Sequence, residues 1–214
     1  KKNDRTNIVV KVKEKQTGKF SVGGGFSNTN GALANVGIEE RNFLGKGQNF
    51  SISYQRGVNS NSTIGQSNFP ISSQNSSVSY QSMSISFMDP RVLDTRNLIG
   101  VSINYSERGR GQGTGLPFDI YKLSSSARWG KQFKWPDRFF HGTWVASTSN
   151  SRYLSSTISD LTNYFSYSIE NSIQYSDDNS PYFITSGQSI TQIISRDSRN
   201  HPEYPSIGSK FIWK

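Results

Sequence analysis

Apolar residues in this chain recur at every second position, in short runs separated by polar connections. Between Gly18 and Ser27, Phe20, Val22 and Phe26 share one parity with Gly24 among them, and Ser21, Gly23, Gly25 and Ser27 share the other. Between Gly31 and Arg41, Ala32, Ala34, Val36 and Ile38 alternate with Leu33, Asn35, Gly37 and Glu39. Alternation of this period sends the two sets to opposite faces of a strand. Asn28-Thr29-Asn30-Gly31 supplies turn chemistry between the two segments. The same pattern predicts strands over Asn7–Lys15, Gln48–Arg56, Val78–Phe87, Leu98–Glu107, Phe118–Gly130, Phe139–Ser149 and Gly187–Arg196, and a new strand starting at Ser209. Within Val78–Phe87, Val78 and Tyr80 carry one parity and Met83, Ile85 and Phe87 the other, so a bulge is expected near Gln81-Ser82.

The connections alternate in character. Those at 28–31, 57–77, 108–117 and 150–186 are polar, rich in Gly, Ser and Asn, and mostly long. Those at 42–47, 88–97, 131–138 and 197–208 are shorter and rich in Arg, Lys and Asp. Short turns at one end and longer loops at the other are the habit of a transmembrane β-barrel. One further alternation, Phe165, Tyr167, Ile169, Ile173 and Tyr175, lies inside 150–186. A crossing there would move the charged 197–208 turn to the wrong end, so this segment is expected within an outer loop. The count is then about nine membrane strands, the last one cut short, where single-chain barrels carry an even number. Because an open edge leaves backbone groups unpaired in lipid, the natural chain is expected to continue past Lys214.

Composition supports this reading. Only 32% of the 214 residues are hydrophobic, below the usual range for a globular domain, as expected when one strand face meets water. No apolar run is long enough for a transmembrane helix. The net charge of +9 would suggest nucleic acid, but Arg41, Lys46, Arg91, Arg96, Lys131, Lys134 and Arg138 gather at the charged turns. They read as a solvated rim beside lipid headgroups or as a docking surface, and no nucleic-acid partner is expected. Trp129, Trp135, Phe139 and Phe140 are expected in an interfacial aromatic girdle. With no Cys, the chain has neither disulfides nor thiolate metal ligands.

Enzymatic chemistry finds no foothold. The stretch from Gly109 to Gly115 lacks the Gly-Lys-Ser/Thr ending of a phosphate loop, and His141 and His201 have no metal-ligand spacing. Asp177-Asp178 lacks the oxygen ligands of a cation loop. No catalytic residue, metal or cofactor is expected. The unusual feature is the interior run Gly23-Gly24-Gly25. It either relieves crowding in a curved strand or weakens strand pairing for a purpose.

Three stretches carry a family resemblance: GGGFSNTNGALANVGIEERNFLGKGQ at 23–48, SFMDPRVLDTRN at 86–97 and SRDSRNHPEYPSIGSKF at 195–211. In order and spacing they resemble the first hairpin and the inner turns of BamA-type outer-membrane insertases, which assemble β-barrel proteins. The resemblance implies an all-β, antiparallel transmembrane β-barrel, present in part. Residues 1–17 would be the end of the last periplasmic POTRA domain, and residues 18–214 the N-terminal portion of the barrel. It implies a lateral gate along the first strand, at Phe20, Val22, Gly23, Gly24, Gly25 and Phe26. The periplasmic turns would be marked by Asn42, Phe43, Leu44 and Gly45, by Asp89, Pro90 and Arg96, and by Arg196, Asp197, Pro202, Pro205 and Gly208. Nascent barrel clients, outer-membrane lipids and the periplasmic or surface accessory lipoproteins of a BAM complex would be the partners, in the bacterial outer membrane. The function so implied is folding and insertion by strand templating. A secretion pore of the same superfamily and a passive porin-like barrel are the alternatives.

Overall fold

The computed structural model describes residues 16–27, 31–58, 78–110, 116–201 and 203–214. The expected POTRA strand Asn7–Lys15 and the tip Asn28-Thr29-Asn30 lie outside the described residues, as do Pro202 and most of the 57–77 and 108–117 loops.

The chain forms one antiparallel sheet. Its strands are β1 (Gly18–Ser27), β2 (Gly31–Phe43), β3 (Gln48–Val58), β4 (Val78–Asp89), β5 (Asn97–Arg108), β6 (Phe118–Gln132), β7 (Phe140–Ser155), β8 (Gln174–Tyr175), β9 (Pro181–Asp197) and β10 (Lys210–Trp213). They lie in the order β1-β2-β3-β4-β5-β6-β7-β9-β10, with β8 added beside β9. Each strand of that path pairs with its sequence neighbour except across β8, so the expected all-β meander is present, and the sheet is open. No helix among the described residues is long and apolar enough to cross a membrane.

Register turns the alternation into two faces. One row runs Ile38, Ile52, Ile85, Ile103, and the next runs Val36, Tyr54, Met83, Tyr105, Leu123. Directly opposed residues share a face, so these rows make one apolar surface. The middle of the opposite face is lined by serine. Ser51, Ser86, Ser102, Ser126, Ser147 and Ser189 fall in a single row across β3 to β9. Their hydroxyls pair at 2.8 Å for Ser51–Ser86, 2.8 Å for Ser102–Ser126 and 2.7 Å for Ser147–Ser189, and Ser53–Ser84 repeats this one row away at 2.8 Å. A serine hydroxyl both donates and accepts, so such a row satisfies itself without charge.

Three expectations need correction. β4 pairs with β5 without interruption from Tyr80 to Asp89, so there is no bulge at Gln81-Ser82. The register step lies between Gly57 and Val58, where Ser79 has no opposite number. It falls at the end of the ladder, where breaking the pattern disturbs fewest hydrogen bonds. Second, β7 and β9 are longer than the polar composition of 150–186 suggests: 150–155 and 181–186 remain in strand, paired from Asn150↔Ser186 to Leu154↔Tyr182. Tertiary pairing here overrides weak local propensity. Third, the 165–175 alternation is not a strand. It does lie in a loop, but Ile158–Phe165 is an α-helix (α1), Tyr167–Ser172 a 3-10 helix, and only Gln174–Tyr175 extended.

That loop folds inward. Phe118 and Leu161 are fully buried, and Phe165 of α1 packs against Phe118, Tyr153 and Phe183 at 5.6, 4.6 and 5.4 Å between ring centroids. Tyr153 and Phe183 are directly opposed and lie in register with Ile120, on the serine face. The only substantial core among the described residues therefore covers the loop end of that face. Ser155 steadies the entry to α1 by donating to Asp160 at 3.0 Å. Replacing Phe118 by Ala is expected to cost about 3–5 kcal/mol locally. Hydrogen exchange should show 158–165 losing protection while the β3–β6 ladder keeps its own.

Candidate functional site

The candidate gate residues lie on β1, which pairs among the described residues with β2 alone. All ten positions are in register, from Gly18↔Glu40 to Ser27↔Gly31. In an antiparallel pair, alternate residues direct their N–H and C=O away from the partner, so half of the backbone groups of β1 point away from β2 and meet no strand among the described residues. Phe20, Val22 and Phe26 lie on the apolar face and are 68%, 71% and 69% exposed. At the other edge, β10 pairs with β9 alone through Lys210–Trp213.

The glycine run can be tested against crowding. A Cβ on Gly23 would sit 2.6 Å from Asn35 Oδ1, the end of a side chain that would have to move. A Cβ on Gly24 would make ordinary contact with Leu33 O at 3.5 Å, and one on Gly25 would meet nothing within 4 Å. Within this sheet, packing accounts for Gly23 but not for Gly24 or Gly25.

The charged turns share one end of the sheet, and their motif residues close them. At 44–47, Asn42 Oδ1 accepts from Gly47 N at 2.6 Å and Asn42 O from Gly45 N at 2.9 Å. Leu44, Gly45 and Gly47 all have positive φ, at 56°, 71° and 67°, a conformation glycine adopts without strain. Phe43 sits on the strand end and packs on Phe50 at 5.0 Å. At 90–96, Asp89 accepts from Arg91 N at 2.9 Å and from Gln48 Nε2 at 2.8 Å, tying the turn across to β3 ahead of Pro90. Arg96 donates to Gln132 at 3.0 Å and so reaches the next turn.

The last two turns are joined by Arg196. Its Nε donates to Asp137 at 2.9 Å, and its Nη1 donates to Ser198 at 3.1 Å and Ser209 at 3.3 Å. Asp197 pairs with Arg199 at 2.8 Å, and Asn200 Oδ1 accepts from Ser206 N and Ile207 N at 3.0 and 3.1 Å, across the bend containing Pro205. Gly208 has φ 98°, and a Cβ there would lie 2.2 Å from Ser198 O. His201 accepts from Tyr204 N through Nδ1 at 3.0 Å, which gives it a structural place in the turn.

The sequence reading missed Asp137, Gln48 and Gln132, which are acceptors or donors between neighbouring turns. It also missed Arg152, whose parity alone puts a charge on the apolar face. Of the expected girdle, Trp129 stacks on Trp144 at 4.7 Å on that face, whereas Trp135 stands in the turn, exposed.

No family model matches the chain. Among solved structures, the crystal structure of BamA from Haemophilus ducreyi lacking POTRA domains 1-3 is similar, with a TM-score of 0.53 and 16% sequence identity over 92% of this chain. The fold is that of a BamA barrel. This chain spans about a third of the BamA chain, 33%.

Asp137 gives the turn end a pH response. Burial pushes its carboxyl pKa up, but hydrogen bonds from Phe139 N–H and Arg196 outweigh this and hold it below the ordinary 3.8. The stabilisation is therefore present above 3.8 and lost as pH falls through the lower folded value. Asp137→Asn should lower the melting temperature of the full-length protein at neutral pH. Its difference from wild type should shrink as the medium is acidified below that value.

Proposed function

We propose that the chain forms the leading strands of a bacterial outer-membrane β-barrel of the insertase superfamily, and that β1 templates the strands of client barrels. The observation that carries this reading is the pair Gly24 and Gly25 in the interior of β1, which the sheet does not require for packing. Glycine inside a strand weakens it by roughly 0.5–1 kcal/mol relative to alanine. A seam built on such a strand opens at lower cost, and its edge then offers main-chain hydrogen bonds to an incoming strand. Each bond is worth roughly 0.5–1.5 kcal/mol in water, and an unpaired group in lipid is costlier still. Templating cleaves no covalent bond and calls for no catalytic residue or cofactor.

The turn end suits a second partner class. Leu44, Leu93, Trp135, Tyr204 and Ile207 all stand exposed there, beside the basic residues of the same turns. An accessory lipoprotein of an assembly complex would dock on that apolar and basic rim.

Single cysteines along Phe20–Phe26 in the full-length protein, in cells, test the seam. Crosslinks to cysteines in the terminal strand of a nascent barrel, shifting in register with position, are expected. Crosslinks only to the protein's own closing strand during active assembly would instead make this a static pore. Gly24→Val with Gly25→Val should leave the barrel folded, strengthen β1 pairing by about 1 kcal/mol, and slow client insertion.

A further inference from the structure

The apolar face changes character across β7 and β9, and we propose that it binds there a lipid whose headgroup carries a phosphate. The inference rests on the outer-membrane reading. On β5 the apolar parity runs Ile99, Val101, Ile103, Tyr105 before reaching Glu107. On β7 the same face carries Thr148, Asn150 and Arg152, and opposite them on β9 lie Gln188, Ser186 and Ile184. Polar groups facing hydrocarbon are unfavourable unless they meet a partner.

Arg152 defines the outer end of this patch. Its guanidinium stacks 3.9 Å over the Tyr182 ring, and Tyr182 is itself held by donating to Gln174 at 2.8 Å. Arg152 Nε is buried and has no acceptor among the described residues. Glu107, the carboxylate in register with it across β6, is engaged by Gln81 at 2.6 Å. A guanidinium with one face on an aromatic ring presents its N–H edge as a fork, the geometry that matches phosphate. A cation facing hydrocarbon is costly unless it is paired, so an anion beside the guanidinium would complete the site.

Further along the same face lies a trough of about 810 Å³. Val101, Ala127, Ala146 and Ile190 line one side, and Ile103, Ser125, Thr148 and Gln188 line the side toward Arg152. The first side is low because two adjacent strands place alanine directly opposite alanine. Thr148 and Arg152 are four positions apart, roughly 13 Å along the strand, and Asn150 lies between, opposite Ser186. The order is cation, hydrogen-bonding groups, apolar trough. This matches phosphate, backbone oxygens and acyl chain in a phospholipid. A free phosphate would answer Arg152 but not the trough.

Native mass spectrometry of the full-length protein in detergent, titrated with phosphatidylglycerol, tests this. One tightly held lipid is expected, with affinity falling roughly tenfold in Arg152→Ala and also falling in Ala146→Trp, which fills the trough and leaves the arginine in place. Arg128→Ala, on the opposite face, should bind as wild type. Arg152→Gln keeps the stem and replaces the alanine variant if that one does not fold. Glycerol phosphate should not compete. Unchanged binding in both site variants, or competition by glycerol phosphate as strong as by the lipid, overturns the proposal. A protein that stays folded in detergent yet holds no lipid sinks this inference alone. A protein that is stable without detergent and ignores membranes sinks the outer-membrane reading beneath it.

Discussion

Main-chain hydrogen bonding is the constraint on which this structure depends. A sheet with so few buried side chains has little hydrophobic core to hold it. Among the described residues the only fully buried apolar side chains are Phe118 and Leu161. What remains is the ladder, continuous from β1 to β10. In water such a sheet would be marginal. In lipid the same ladder becomes obligatory, because no water competes for its groups. The long pairings of β6, β7 and β9, kept through polar sequence such as Asn150 and Ser186, fit that requirement if the sheet lies in a membrane as proposed.

Everything else is arranged around the ladder's two faces and two ends. One face is apolar across β1 to β5, and the middle of the other satisfies itself through paired serine hydroxyls. At one end the turns are locked to each other by Asp89–Gln48, Arg96–Gln132 and Arg196–Asp137, so that each turn depends on its neighbour. At the other end, one loop supplies a small aromatic core that closes over the serine face.

Much of this was legible in the sequence because strand parity is a local signal. Phe20, Ile38, Ile52, Ile85 and Ile103 announce their face without knowledge of their partners, and Asn42, Gly45 and Gly208 announce turns by conformational need. The signal failed where long-range pairing outweighed local composition. Polar 150–155 and 181–186 read as loop and are strand. Phe165 and Ile173 share a strand parity, yet helical structure spans much of the segment, because the aromatic cluster on Phe118 rewards compact packing. The bulge was placed too far along because sequence shows a parity conflict but not where the ladder can most easily absorb it. Arg152 was overlooked for a related reason: a charge at the right parity means little until the neighbouring strands show that its Nε meets no acceptor among the described residues.

The serine rows have a mechanical consequence. Curling a sheet draws together the side chains on its inner face and spreads those on its outer one. Where bulky groups line the inside, they collide early and the wall is stiff, as close-packed interiors are. If the serine face lies inside, as the proposed barrel requires, the side chains drawn together in its middle rows across β3 to β9 are hydroxymethyl groups, whose hydrogen bonds can swap donor for acceptor as spacing changes. Such a wall can change its radius with little steric resistance, and strain applied at one edge can spread over many strands instead of breaking any single pair.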